Sequence, residues 1–99
     1  MERAETELGG IDILVNNAAV FVLKGLDVNV IGTFLCTRYA AEAMKKRGGG
    51  AIVNLSSISG FVVQLEFLTY SATKAALVNM TRCMALDLAP HAVRVNCVC

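Results

Sequence analysis

The sequence predicts an α/β chain that forms part of a doubly wound parallel sheet, and three observations carry that expectation. Short β-branched runs alternate with longer stretches of helical period. Gly and Pro punctuate the joins between them. The short runs are apolar on nearly every residue, the pattern of parallel strands covered on both faces. A length of 99 residues is enough for one domain. Hydrophobic residues make up 56% of the chain and charged ones 17%, against about 25% charged in soluble domains generally. A disordered tail is therefore excluded.

Element by element, Glu2 to Leu8 reads as the tail of a helix. Ile11 to Val15 is a strand, preceded by Gly9-Gly10 and closed by Asn16-Asn17. From Asp27 to Arg47 the period is helical, with Val30, Ile31, Phe34, Leu35 and Arg38 giving way to Tyr39, Ala43 and Met44. Lys45, Lys46 and Arg47 complement the carbonyl end of that helix, and Gly48-Gly49-Gly50 stops it. Ala51 to Leu55 is a second strand, and Ser56 to Gly60 opens a loop. Thr69 to Ala89 is a second long helix, stopped by Pro90. Val93 to Val98 is the third strand.

Alternation of this kind argues for right-handed crossovers. Successive strands laid down in one direction then place both long helices on one face of the sheet. Only the Glu2 to Leu8 stub remains for the opposite face, and a bare apolar face is rarely tolerated. Residues 1–99 thus read as a partial domain, one half of a doubly wound sheet whose partner half is missing or comes from elsewhere.

Charge excludes several partners. The net charge is +1 and the pI is about 7.7, and the densest basic cluster is Lys45-Lys46-Arg47. Nucleic-acid binders and binders of anionic membranes carry denser patches, so no nucleic acid and no membrane are expected as partners. The longest clean apolar run, Ala18 to Leu23, is far short of the roughly 20 residues that span a bilayer. The polar opening Glu2 to Glu7 gives no secretory signal. Four cysteines, Cys36, Cys83, Cys97 and Cys99, form no CxxC pair and read as reduced core thiols with no metal. A cytoplasmic protein is expected.

Several residues could carry chemistry. Tyr70 and Lys74 lie four apart in the second long helix, on one face. A phenol of ordinary pKa near 10 is a poor acid-base catalyst at neutral pH, and a neighbouring ammonium favours the phenolate. Taken alone, the pair equally describes an aromatic near a helix start with a lysine stem packed one turn on. Ser56-Ser57 follow a strand at the carboxyl edge, where open α/β sheets bind ligands. A hydroxyl there can donate to a carbonyl oxygen or simply close a turn. Asn16-Asn17-Ala18-Ala19 ends the first strand in the same layer. Its small residues admit a flat ligand, although Asn at a strand end is also ordinary turn chemistry. Asn29 sits in a helical segment where Asn is disfavoured, and could kink the helix, hydrate it or face solvent.

Taken together, these motifs closely resemble the short-chain dehydrogenase/reductase family. They are Ile11 to Asn17 running into Ala18-Ala19, Asn29, Ile52-Val53-Asn54-Leu55-Ser56-Ser57, Tyr70-Ser71-Ala72-Thr73-Lys74-Ala75-Ala76 and Val93-Arg94-Val95-Asn96, with Tyr70 thirteen positions beyond Ser57. The resemblance spans nearly the whole chain, and the motifs keep the family's order. It implies a Rossmann-like fold and the NAD(P)-dependent interconversion of a carbonyl and a secondary alcohol, with NAD or NADP as cofactor. By the same resemblance Tyr70 is the general acid/base. Lys74 lowers the phenol's pKa and binds the nicotinamide ribose, Ser57 orients the substrate oxygen, and Asn29 holds a water in the proton relay. Asn17, Ala18 and Ala19 would line the cofactor's adenosine side. The loop Ile58 to Thr69, apolar through Phe61, Val62, Val63, Leu65, Phe67 and Leu68, would influence substrate choice. A homo-oligomer formed through the two long helices is also implied.

The chain departs from the family pattern in three places. It carries no glycine-rich turn after a first strand, because Gly48-Gly49-Gly50 follows a helix. The stretch from Asn17 to Asn29 is shorter than the family pattern by roughly four helical turns. Cys99 stands where a Pro-Gly turn and the substrate-covering elements would follow. An alternative expectation is therefore a catalytically inactive product that acts as an oligomerisation or interaction module with a full-length relative.

Overall fold

In a computed structural model of the chain, residues 1–19, 26–57 and 68–99 are described. The chain folds as α1 (Glu2–Leu8), β1 (Ile13–Asn16), a π-helical segment (Leu26–Gly32), α2 (Thr33–Lys46), β2 (Gly50–Leu55), α3 (Leu68–Leu88), a 3-10 turn (Ala89–His91) and β3 (Val93–Val98). The three strands form one parallel sheet in the order β1-β2-β3. The expected α/β class and parallel sheet are both present.

Strand register divides the sheet into two unlike faces. Leu14 pairs with Ile52 and Ile52 with Val95, while Asn16 pairs with Asn54 and Asn54 with Cys97. Those side chains point toward the helices, and Ile52, Asn54, Val93 and Val95 are buried there. The alternate rows point the other way, where Ile13, Val15 and Val98 are each more than half exposed. Both long helices therefore lie on one face, as right-handed crossovers require.

The α1 stub does not cover the opposite face. Its Ala4 packs on the core formed by Ala40, Met44 and Ile52, and its Glu5 pairs with Lys46 at the end of α2 at 3.5 Å. It joins α2 on the helix face.

Helix α2 turns a different side to the sheet than the sequence suggests. Its buried positions are Thr33, Thr37, Ala40, Ala41, Ala43 and Met44. Ile31, Phe34, Leu35 and Tyr39, read as part of the apolar stripe, are 40–55% exposed. The buried stripe runs Asn29, Thr33, Thr37, Ala40, Ala41 and Met44 at helical spacing, and its small side chains let the helix approach the sheet closely.

Smaller differences lie at element ends. β1 begins at Ile13 rather than Ile11, whose side chain is nonetheless buried in the core. α3 gives way at Leu88 to a 3-10 turn that contains Pro90, because the ring fits the first turn of a new helix but not an interior. All four cysteines are free, yet Cys36, Cys83 and Cys99 are exposed and only Cys97 is partly covered. The expectation of core thiols fails for the first three. Cys36 lies off the buried stripe of α2, which runs through Thr33, Thr37, Ala40, Ala41 and Met44.

The glycine run after α2 works through conformation and space together. Gly48 and Gly49 have φ of +86° and +149°, values that L side chains rarely adopt. A Cβ on Gly49 would lie 2.7 Å from the carbonyl oxygen of Ala92. The turn into β2 thus packs directly on the turn into β3. Among the described residues, no helix is long and apolar enough to cross a membrane.

Candidate active site

All three strands run the same way, so their carboxyl ends form one edge. There, Asn17 follows β1 and Ser56-Ser57 follow β2. α3 brings its first turns against this edge. Lys74, one turn beyond Tyr70, is only 3% exposed. Its Nζ donates to the carbonyl oxygen of Leu55, the last residue of β2, at 2.7 Å. The same ammonium lies 5.6 Å from the centroid of the Tyr70 ring, within cation-π range.

Burial lowers the Lys74 pKa below the ordinary lysine value, and charge on Cys97 opposes that shift. Burial also pushes the Cys97 thiol upward, more than its hydrogen bond with Thr81 pulls it down. The thiol is thus held toward its neutral form, which leaves desolvation as the dominant influence on Lys74.

Ser56 completes a reciprocal tie. Its Oγ donates to the main-chain carbonyl of Lys74 at 2.6 Å, and its backbone N–H donates to Val98 at 2.8 Å. Ser57, the next residue, is half-buried at the same corner.

Asn29 reaches this corner from the π-helical segment. It is fully buried, and its Nδ2 donates to Thr73 Oγ1 at 3.0 Å. Thr73 in turn donates to the carbonyl of Tyr70 at 2.8 Å. Asn in an ordinary helix is disfavoured. Here the π-helical backbone and a buried hydroxyl acceptor give it a place.

The structure therefore gathers Asn29, Ser57, Tyr70 and Lys74 around the ends of β2 and α3. Asn17, Ala18 and Ala19 are exposed beyond the end of β1. An open cleft lined by Asn16, Asn17, Ala18, Val28, Thr33 and Cys36 runs beside them. The loop expected to influence substrate choice falls, in residues 58–67, outside the described residues. Among the described residues, no group of three or more His, Cys, Asp or Glu side chains could hold a metal ion.

Sequence reading overlooked the supporting polar groups. Asn16 Nδ2 donates to Asn54 Oδ1 at 2.8 Å and to Thr37 at 3.2 Å, and Asn54 Nδ2 donates to Thr81 at 3.0 Å. This chain of bonds joins β1, β2, α2 and α3 just beneath the edge. A signal was available, since an Asn inside an otherwise apolar strand and Thr at helix positions facing the sheet both need buried partners.

The chain matches the short chain dehydrogenase family over residues 1–99. It belongs to that family. A Thermotoga maritima protein described as an uncharacterized oxidoreductase is 44% identical over 111 residues, covering 100% of this chain and 44% of that protein. The crystal structure of the acetoin dehydrogenase YohF from Salmonella typhimurium superposes with a TM-score of 0.92 at 35% identity, covering 97% of this chain and 43% of that one. A gluconate 5-dehydrogenase from Burkholderia cenocepacia, solved with NADP and tartrate, superposes with a TM-score of 0.92 at 30% identity, covering 97% and 42%. This short-chain dehydrogenase segment thus spans less than half the length of these relatives.

Proposed function

We propose that residues 1–99 carry the proton-transfer residues of an NAD(P)-dependent oxidoreductase that interconverts a carbonyl and a secondary alcohol. The observation behind this reading is the desolvated Lys74 ammonium 5.6 Å from the Tyr70 ring at the carboxyl edge of the sheet. Tyr70 acts as general acid toward a carbonyl oxygen and as general base toward an alcohol. Lys74 supplies a fixed positive charge that stabilises negative charge developing on the phenol oxygen, and its burial strengthens that effect. Ser57 donates to the substrate oxygen and holds it against Tyr70. Asn29 holds a water that passes protons between this corner and solvent.

The donor set fits a dinucleotide. An ammonium carries three N–H donors, and Lys74 directs one of them to Leu55, so the cation can also serve ribose hydroxyls. Asn17, Ala18 and Ala19, small and exposed at the end of β1, would lie along the adenosine side. When bound, the nicotinamide supplies the hydride chemistry. One solved relative holds NADP and another NAD+, and either fits this reading. The exposed apolar faces of the two long helices, with Phe34, Leu35 and Tyr39 on α2 and Leu86 on α3, would pair with a second copy. No membrane or nucleic-acid partner is proposed, and the compartment is taken to be the cytoplasm.

Turnover tests the assignment. In an intact enzyme carrying this segment, given NAD+ or NADP+ and a panel of secondary alcohols, the parent should reduce the nicotinamide while Tyr70→Phe should not. Equal turnover by the two proteins would remove Tyr70 from its role.

A further inference from the structure

We infer that Ser56 is a positioning residue that fixes the spacing between Ser57 and the Tyr70–Lys74 pair. This inference rests on the catalytic reading above.

Ser57 follows β2, whereas Tyr70 and Lys74 ride on α3, and the chain between them is long. Their relative placement depends on whatever ties the end of β2 to the first turns of α3. Two bonds do so in opposite directions. Lys74 Nζ donates to Leu55 O at 2.7 Å, and Ser56 Oγ donates to Lys74 O at 2.6 Å.

These ties are not equivalent. The first uses the ammonium, whose other N–H donors would serve a bound dinucleotide, so ligand binding acts on it directly. The second joins a serine hydroxyl to a main-chain carbonyl, whose second lone pair is available beside the helix's own hydrogen bond. It persists however the ammonium moves. The Ser56 peptide is also pinned on its other side, through its N–H to Val98 O at 2.8 Å. Ser56 is thus held by β3 and itself holds α3, and Ser57 extends from that fixed point. A displacement of about 1 Å between reacting groups can cost a hundredfold in rate, so a tie at this point acts on kcat more than on binding.

The test compares Ser56→Ala and Ser56→Thr with the parent in an intact enzyme carrying this segment, with Tyr70→Phe as control. The readouts are steady-state kinetics, dinucleotide affinity and the NMR titration of the Lys74 ammonium in protein with nitrogen-15-labelled lysine. Ser56→Ala should lower kcat about tenfold and leave dinucleotide affinity within about twofold. The Lys74 titration should move back toward the ordinary lysine value as water enters the corner. Ser56→Thr, which keeps the hydroxyl, should recover most of both changes. If Ser56→Ala does not fold, Ser56→Cys, a weaker donor of similar size, should show the same direction at smaller amplitude.

With Tyr70→Phe inactive, a parent-like kcat in Ser56→Ala overturns the inference. So does a kcat loss with the Lys74 titration unmoved. If Tyr70→Phe instead turns over like the parent, the catalytic reading fails, and the Lys74 titration alone decides whether Ser56 holds this corner.

Discussion

The ammonium of Lys74 is buried against the end of β2 and lies 5.6 Å from the ring of Tyr70, one helical turn away. A helix places such a pair on one face from spacing alone. The sheet edge adds desolvation, because Leu55 O and the α3–β3 contact replace water around the charge.

The first prediction concerns Tyr70. Tyr70→Phe removes one oxygen and leaves the ring that packs beside Lys74. Turnover should fall by about 10²–10⁴, the usual worth of a positioned acid-base group. Affinity for NADH or NADPH, measured by fluorescence titration, should change little. A large loss of affinity with kcat intact would assign the hydroxyl to binding rather than proton transfer.

The second concerns Lys74 and pH. Burial lowers its pKa in the folded chain, while the unfolded chain keeps the ordinary value near 10.4. Between those values the unfolded state binds more protons, so stability rises with pH across that window. Cys97 acts in the opposite sense. Its raised thiol pKa makes the folded state hold its proton longer, and stability falls as pH passes the unfolded thiol's value. In a Cys97→Ala background, the parent lysine should therefore gain stability relative to Lys74→Met as pH rises toward the ordinary lysine value near 10.4. Urea denaturation at several pH values reads this directly. A difference independent of pH would contradict the burial argument.

The third concerns the amides beneath the site. Asn54 is fully buried and joins Asn16 to Thr81. Asn54→Ala removes one hydrogen bond each from Asn16 and Thr81 and leaves a buried void, which should cost about 2–3 kcal/mol in chemical denaturation. Asn96→Ala, exposed on β3, should stay within about 0.5 kcal/mol of the parent. Similar values for both would mean that the network contributes little.

The fourth separates conformation from space in the glycine turn. Gly48 has φ of +86° with nothing within 4 Å of an added Cβ. Gly48→Ala should cost only the left-handed penalty of about 1–2 kcal/mol. At Gly49 an added Cβ would meet Ala92 O at 2.7 Å. Gly49→Ala should therefore cost at least about 3 kcal/mol, visible as a lower melting temperature than Gly48→Ala.

Sequence alone determined the order of elements, the parallel sheet and the family. Those properties rest on local period, turn residues and motifs of fixed spacing, such as Tyr70-x-x-x-Lys74 and Ser56-Ser57. It did not reveal which side of α2 meets the sheet. The small residues Ala40, Ala41 and Ala43 outcompete Phe34 and Tyr39 for the close-packed face. Nor did it show that Asn29 finds Thr73 or that Ser56 grips Lys74. Hydrogen bonds between residues 44 and 18 positions apart depend on how helices seat on the sheet, and no local pattern encodes that distance.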